Sequence, residues 1–484
     1  MQMYINGEKR NASDGQVIPV YSAATQERLD TVPSATAADV AEAVRAARAY
    51  QREWAAVPQY LRSAILIKAA ALIEEHAEEL STSLCRNMGK VITEARSETA
   101  TAAHVLRGYA ERANHLMGDT LPAYACGSER DMIFTRREPV GVVAAIGPFN
   151  FPLELAAHKI GAALSVGNVV IYKPATDNPL AVIRMVELCY EAGVPRQALQ
   201  LVTGRGSAIG RLLAQSEGVD AVNMTGSTAA GVDVAERSAR TLKGVHLELG
   251  GNDPFLVFAD ADLDLAVREA VETRTTNCGQ ICCASKRFFV HRSVREEFVS
   301  RLTAALNALV RGDPMDPRTQ LGCLINPTAA DRVEEQIRHT IAQGAELALG
   351  GHKVGATFFE PTILIGVKPE MDIAQNMEVF GPVFPIIEFT TYRQAIDWAN
   401  HTSYGLQGCI FTRDMKTAFQ GASELQCGGV VINGASSYRH PSQPFGGYKM
   451  SGLGREGISH TLEQFTQEKS YILKRVLETE CERE

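Results

Sequence analysis

Between residues 141 and 249 the chain alternates short apolar runs with stretches of helical period, and this alternation restricts the fold more than any other feature. Residues 142–146, Val-Val-Ala-Ala-Ile, form a continuous apolar run of the kind found in strands buried on both faces. Residues 155–166 then read as a helix ended by Gly167, 169–172 as a strand, and 180–191 as a helix ended by Gly193. The series continues with a strand at 198–202, a helix at 208–215, a strand at 221–224, a helix at 229–242 and a strand at 245–249. Strands interleaved with helices in this way predict a parallel, doubly wound sheet with right-handed crossovers. Such sheets bind ligands beyond the carboxyl ends of their strands. The loops there are 147–152, 173–176, 204–206, 225–228 and 248–251.

The flanking regions are less regular. The opening reads as strand, Asn6-Gly7 turn, strand, because Asn-Gly suits a type I′ hairpin. Residues 37–54, 61–88 and 93–117 read as helices, the second stopping near Gly89 and the third starting at a Thr cap. A second α/β alternation runs from Pro254 to about Gly434. Residues 131–137 and 467–474 are strand candidates outside both alternations, and such strands pair with each other or with a partner subunit. With 484 residues the chain exceeds a single core.

Composition removes several function classes. A net charge of −8 without a dense basic run disfavours nucleic acid and anionic membranes as partners. The N-terminus lacks a basic segment followed by an apolar one, so no secretory signal is read there. The most apolar region, 140–172, is interrupted by Pro148, Asn150, Pro152, Glu154, His158 and Lys159 and does not read as a membrane span. The ten cysteines are scattered, without the spacing of a disulfide framework or a zinc site. Reduced thiols, no metal and a cytoplasmic location are expected.

Three of those cysteines fall in one stretch, Asn277-Cys278-Gly279-Gln280-Ile281-Cys282-Cys283-Ala284-Ser285-Lys286. It lies where a helical pattern from 263 to 276 breaks at Gly279, before a strand-like run at 287–291. A thiol at such a junction can stand clear of packed structure and meet a ligand. A free thiol, with a pKa of about 8.5, is only slightly ionised near neutrality, so a reactive one needs a tuned site. Gly204-x-Gly206-x3-Gly210 departs from a dinucleotide fingerprint by one residue and follows the third strand instead of the first. Gly226-Ser227-Thr228-Ala229-Ala230-Gly231 follows a strand and opens a helix, which suits either a phosphate or a tight strand–helix turn.

Seven segments taken together are more specific. Gly147-Pro148-Phe149-Asn150-Phe151-Pro152, Tyr172-Lys173-Pro174-Ala175, Thr225-Gly226-Ser227-Thr228, Leu247-Glu248-Leu249-Gly250-Gly251, Asn277-x-Gly279-Gln280-x-Cys282, Glu378-x-Phe380-Gly381-Pro382 and Pro444-Phe445-Gly446-Gly447 occur in one order along the chain. In that order, and at close to that spacing, they resemble the NAD(P)-dependent aldehyde dehydrogenase superfamily over essentially the whole chain. The resemblance implies the aldehyde dehydrogenase fold: an α/β chain with a Rossmann-like doubly wound cofactor domain (1–121 and 141–249), a second α/β catalytic domain (250–445) and a small β oligomerisation arm (122–140 and 446–484). The arm would pair strands between subunits of a homodimer or homotetramer.

The resemblance also implies a chemistry, oxidation of an aldehyde to the carboxylic acid with NAD(P)+. Cys282 would add to the carbonyl as a thiolate and give a thiohemiacetal. The Asn150 amide and the Cys282 backbone N–H would steady the oxyanion. Hydride transfer to nicotinamide would leave a thioester, and Glu248 would activate the water that releases the acid. For the cofactor, the resemblance assigns Lys173 to the adenosine ribose, Ser227 to the pyrophosphate and Glu378 to the nicotinamide ribose, with Phe380 beside it. Ile146, Pro148, Phe149, Thr176, Gly206, Gly210, Thr225, Gly226 and Leu249 complete the cofactor set. Many NAD-using members carry Glu where this chain has Thr176, and loss of that carboxylate should admit the 2′-phosphate of NADP. NADP is therefore expected, with NAD as an alternative.

Substrate contacts are expected from Arg107, His158, Ile281 and Arg439, whose cations could hold the carboxylate or phosphate of a short semialdehyde. The competing reading, that both arginines are surface or structural residues, stands slightly ahead. Cys283 reads as a packing residue. A CoA-acylating enzyme is disfavoured by the presence of Glu248, and a thiol hydrolase would have little need of Lys173 and Glu378.

Overall fold

The computed structural model describes residues 1–122 and 125–477; residues 123–124 and 478–484, Cys481 among them, lie outside the described residues. Strands form where the apolar runs predict them, at Val142–Ile146, Val169–Lys173, Leu199–Leu201, Ala221–Thr225 and Gly244–Glu248. Every residue of the first two is buried, as a sheet covered by helices on both faces requires. These strands pair in parallel, and Val142–Ile146 stands between Val169–Lys173 and Ala221–Thr225. The chain winds outward in one direction from Val142–Ile146 and then returns to add Ala221–Thr225 on its other side. At such a reversal the loops beyond the two central strands part and leave a crevice. The loops that flank it here carry Asn150 and Ser227.

Two short pieces finish this sheet. Met3–Ile5 and Glu8–Arg10 form the N-terminal hairpin, with Asn6 and Gly7 both at positive φ as a type I′ turn demands. Gly452–Leu453 pairs antiparallel with Gly244–Glu248 at the opposite edge and so brings the late glycine-rich segment beside Glu248. The chain enters a second, seven-stranded sheet at Asp253–Val257, next to Ser285–His291 and Gln407–Phe411. Only Glu346–Leu349, at its edge, runs antiparallel.

Some local expectations are corrected. The helical run at 61–88 is two helices, Gln59–Glu75 and Ala77–Met88, separated at His76; the second ends at Gly89 in the left-handed conformation, φ 79°. The next helix, Ile92–Arg112, starts behind Val91 with no side-chain cap, so Thr93 lies inside its first turn. A hairpin of Val17–Tyr21 with Arg28–Pro33 precedes the helices; Pro19 and its largely exposed faces hide it from periodicity. Thr466–Leu473 pairs antiparallel with Met132–Pro139 over its full length, and Thr120–Leu121 joins on the far side. Among the described residues no single helix is long and apolar enough to cross a membrane.

Candidate active site

The cysteine stretch is built on an unusual turn. Helix Leu263–Thr275 stops, and the chain passes through Asn277, Cys278 and Gly279 at φ of 51°, 54° and 74°. Consecutive left-handed residues are costly for L side chains, so surrounding groups must hold them. The Asn277 N–H donates to Glu94 at 2.9 Å, and its side-chain amide donates to the carbonyls of Asn150 (3.0 Å) and Gln280 (3.2 Å). The buried Gln280 amide donates to the carbonyls of Asn277 and Cys323, and its oxygen accepts from the Ile325 N–H. At Gly279 a side chain is excluded, since a Cβ would stand 2.4 Å from the Gly381 carbonyl oxygen. The turn delivers Cys282 partly exposed, while Cys278 and Cys283 are buried.

Cys282, Asn150 and Glu248 line one cavity of about 220 Å³, together with Phe151, Glu154, Ile281, Arg439, Phe445 and Glu456. Asn150 sits in the loop after Val142–Ile146, and its amide donates to the Gln280 carbonyl at 3.1 Å, two residues before Cys282. Glu248 ends strand Gly244–Glu248; it is buried, and among the described residues its Oε2 has no hydrogen-bond partner. Burial first, and then the charge of Glu456, hold the Glu248 carboxyl well above the usual carboxylate range. The Cys282 thiol is also held above its ordinary value, first by its hydrogen bond with Cys283 and then by burial. Both groups are thus held toward their uncharged, protonated forms.

Sequence reading missed the buried charges around this pair. Lys159 donates to Asn223 Oδ1 and Thr225 Oγ1, both at 2.7 Å, and lies 3.4 Å from Glu456 Oε2. Glu456, in turn, binds Arg439 Nη2 at 2.5 Å. Burial would raise the Glu456 carboxyl, but the cations facing it, Lys159 first, hold it well below the usual range. The signal was present, because Glu154, His158 and Lys159 interrupt the most apolar run in the chain. Charges in such a run need an internal partner.

The expected substrate residues separate. Ile281 and Arg439 line the cavity. His158 lies behind it, fully buried, with Nδ1 2.8 Å from the Tyr109 hydroxyl and Nε2 3.3 Å from Arg439 Nη2; burial pushes its pKa down to about 3, so it is neutral. Arg107 is not brought to the cavity. It forms a two-pronged ion pair with Glu74 at 2.9 and 2.8 Å, a contact between helices Ile92–Arg112 and Gln59–Glu75.

The expected cofactor residues lie around the crevice. Lys173, at the end of its strand, is buried, and among the described residues its ammonium has only the Pro174 carbonyl as hydrogen-bond partner, at 2.6 Å; burial lowers its pKa to about 8. An ammonium has three donors, so this site retains capacity for oxygens of a nucleotide. Thr176 Oγ1 donates to the Gly204 carbonyl at 3.1 Å and ties two strand-end loops together. A Cβ at Gly206 would meet nothing within 4 Å, and one at Gly210 would meet only Ile146 Cδ1 at 3.6 Å, so this floor has room for a flat ring. Ser227 caps helix Thr228–Ser238 by accepting from the Ala230 N–H, and the Gly226 N–H donates to the Glu248 carbonyl. The Leu249 N–H donates to the Ser451 carbonyl. Glu378 accepts from the Gly251 N–H at 3.2 Å and lies 3.4 Å from Lys286, which also donates to the Cys282 carbonyl. Phe380 meets Phe149 edge to face at 6.0 Å, next to Pro148. These donors and open surfaces fit a dinucleotide reaching from Lys173 to the Glu378 side of Cys282.

Residues 10–471 match the family model described as "Aldehyde dehydrogenase family". The chain is 38% identical over 473 residues to a 3-sulfolactaldehyde dehydrogenase of Priestia aryabhattai, covering 97% of each. It is 36% identical over 468 residues to a succinate-semialdehyde dehydrogenase [NADP(+)] of Escherichia coli (strain K12), covering 96% of each. The crystal structure of a succinate-semialdehyde dehydrogenase from Burkholderia pseudomallei superposes with a TM-score of 0.95 at 39% identity, over 98% of both chains.

Proposed function

The chain belongs to the aldehyde dehydrogenase family, and from that premise we propose how its residues divide the work of an NAD(P)-dependent oxidation of aldehyde to acid. Cys282 is the nucleophile. Its thiol proton passes to solvent, its sulfur forms a bond to the carbonyl carbon, and the carbonyl electron pair moves to oxygen. The Asn150 amide donates to that oxygen, and one such donor contributes about 3–4 kcal/mol to lowering the barrier. Lys173, Ser227, Glu378 and the surfaces around Ile146 and Leu249 would hold NAD(P)+, which would supply the hydride acceptor; with hydride gone from the same carbon, the oxygen re-forms the carbonyl and Cys282 is left as a thioester. Glu248 then takes a proton from water as the water attacks the Cys282 thioester; the carbon–sulfur bond breaks, and the acid leaves. The observation that carries this reading is the meeting of Cys282, Asn150 and Glu248 in one cavity.

The substrate proposed is a short aldehyde with an acidic tail. The relatives named for 3-sulfolactaldehyde and succinate semialdehyde point that way. Arg439 supports it: Nη2 is held by Glu456, while Nη1 stands 4.0 Å from Glu154, beyond hydrogen-bond reach, and is available to a ligand anion. The division of the chain at residues 249 and 250 is supported by the change of sheet between Glu248 and Asp253. Assembly through an arm at 122–140 and 446–484, as a homodimer or homotetramer, is supported by the edge strand Thr466–Leu473. The nine described cysteines are all free, which suits the reducing cytoplasm.

The test is a panel of charged and neutral aldehydes with each nicotinamide cofactor, with and without CoA, followed by the absorbance of the reduced ring. Turnover without CoA that disappears in Cys282→Ala is expected. Turnover that survives Cys282→Ala would remove the proposed nucleophile. For the tail, Arg439→Ala should lower kcat/KM for succinic semialdehyde more than for an uncharged aldehyde of similar length; an unchanged ratio discards the anion contact.

A further inference from the structure

A second charged group lies behind the cavity and takes no part in the steps above. Lys90 follows the left-handed Gly89, and Glu94 and Glu98 follow at intervals of four residues, so both carboxylates share one face of helix Ile92–Arg112. Lys90 and Glu98 form an ion pair whose side chains are 0% and 1% exposed. The Lys90 ammonium also donates to the Asn150 carbonyl at 2.8 Å and lies 3.7 Å above the Phe151 ring. Glu98 Oε1 accepts from the Leu153 N–H at 2.9 Å. It thereby caps helix Pro152–Ser165, whose own N-cap residue, Phe151, has no side-chain acceptor. One turn earlier, Glu94 accepts from the Asn277 N–H at 2.9 Å, at the start of the left-handed turn that leads to Cys282.

A buried ion pair contributes little stability compared with apolar packing of the same volume. Here the pair and its neighbour touch the backbone of two segments that reach the catalytic cavity, the Asn150 loop and the turn before Cys282. We propose that Lys90, Glu94 and Glu98 are positioning residues that fix the Asn150 amide relative to the Cys282 turn, with one helix face gripping both loops. This rests on the reading of Asn150 and Cys282 as the reacting pair.

The experiment is a double-mutant cycle on the full-length enzyme with saturating cofactor, reading kcat and KM separately and recording thermal unfolding of each variant. Lys90→Met should lower kcat roughly 10- to 100-fold, the scale of loss from a small misplacement of catalytic groups, with KM little changed. Lys90→Arg, which keeps a donor and the charge, should recover part of that loss. Added to Asn150→Ala, Lys90→Met should cost little more, because the amide it positions is gone. Losses that multiply in the double variant, or an unchanged kcat in Lys90→Met, would overturn the proposal. If Lys90→Met does not fold, Glu94→Ala carries the same comparison from the Asn277 side, against Glu94→Gln, which keeps an acceptor. Full kcat in Asn150→Ala alone would overturn the assignment of Asn150 and the proposal with it.

Discussion

Glu248 is the residue whose environment says most about turnover. Its carboxyl is buried, lacks a partner on Oε2 among the described residues and is held well above the usual carboxylate range, so as pH falls it takes up its proton, and ceases to be a base, sooner than an exposed glutamate would. The rate of thioester hydrolysis should therefore climb as pH rises through that raised pKa, well above the pH at which exposed glutamates titrate. Glu248→Gln should leave the first, acyl-forming turnover visible as a burst of reduced cofactor while steady turnover falls about 10²- to 10⁴-fold. Stopped-flow absorbance separates the two phases, and loss of the burst together with turnover would show that Glu248 acts before the thioester. Lys173 gives a second pH dependence of opposite sign. Burial lowers its pKa to about 8, so its charge is present below that pH and lost above it. Affinity for NADP, whose extra phosphate gains most from a cation, should weaken as pH rises through 8, and more steeply than affinity for NAD. Thr176→Glu should shift the preference toward NAD by like-charge repulsion. Titration of both cofactors against intrinsic fluorescence from pH 7 to pH 9 measures both effects.

At the scale of elements, the turn after helix Leu263–Thr275 decides whether the nucleophile is presented at all. Gly279→Ala places a Cβ against the Gly381 carbonyl and a side chain at φ 74°, so it should lower the unfolding temperature and activity together. The left-handed backbone alone costs about 1–3 kcal/mol, and differential scanning calorimetry would register it. An unfolding temperature equal to the parent's would mean the turn relaxes freely. This turn also marks where sequence reading stops. The break at Gly279, the strands from 142 to 249 and the joining of Cys282, Asn150 and Glu248 could be read from period, glycine position and motif order, because each is a local pattern or a family one. The grip of Glu94 on Asn277 and of Lys90 on Asn150 spans 183 and 60 residues and leaves no local trace beyond a four-residue spacing of charges. Arg107 misled for the complementary reason. A cation near a pocket in sequence is drawn outward when a carboxylate such as Glu74 faces it from the neighbouring helix.

For the whole molecule the arm presents an exposed edge strand. Met132–Pro139 and Thr466–Leu473 form a ribbon stabilised by the parallel stack of Phe134 on Tyr471, rings 5.0 Å apart, with Thr120–Leu121 as a short third strand. Thr466–Leu473 is an edge strand, so one row of its backbone groups is free to pair. It carries Ile472 at 61% exposure, with Leu473 and Met132 exposed nearby. A small sheet of this kind is marginal on its own and gains from a partner that supplies another strand and covers the apolar side chains. A second copy of the chain offers the same strand and the same exposed residues, which is the self-complementarity that a two-fold contact needs. Ser470→Pro removes a donor from the edge strand, and Ile472→Glu places a charge among the apolar groups. The two together should shift the protein toward smaller species in light scattering. A variant that keeps the parent's mass would mean that this edge strand makes no contact between copies of the chain.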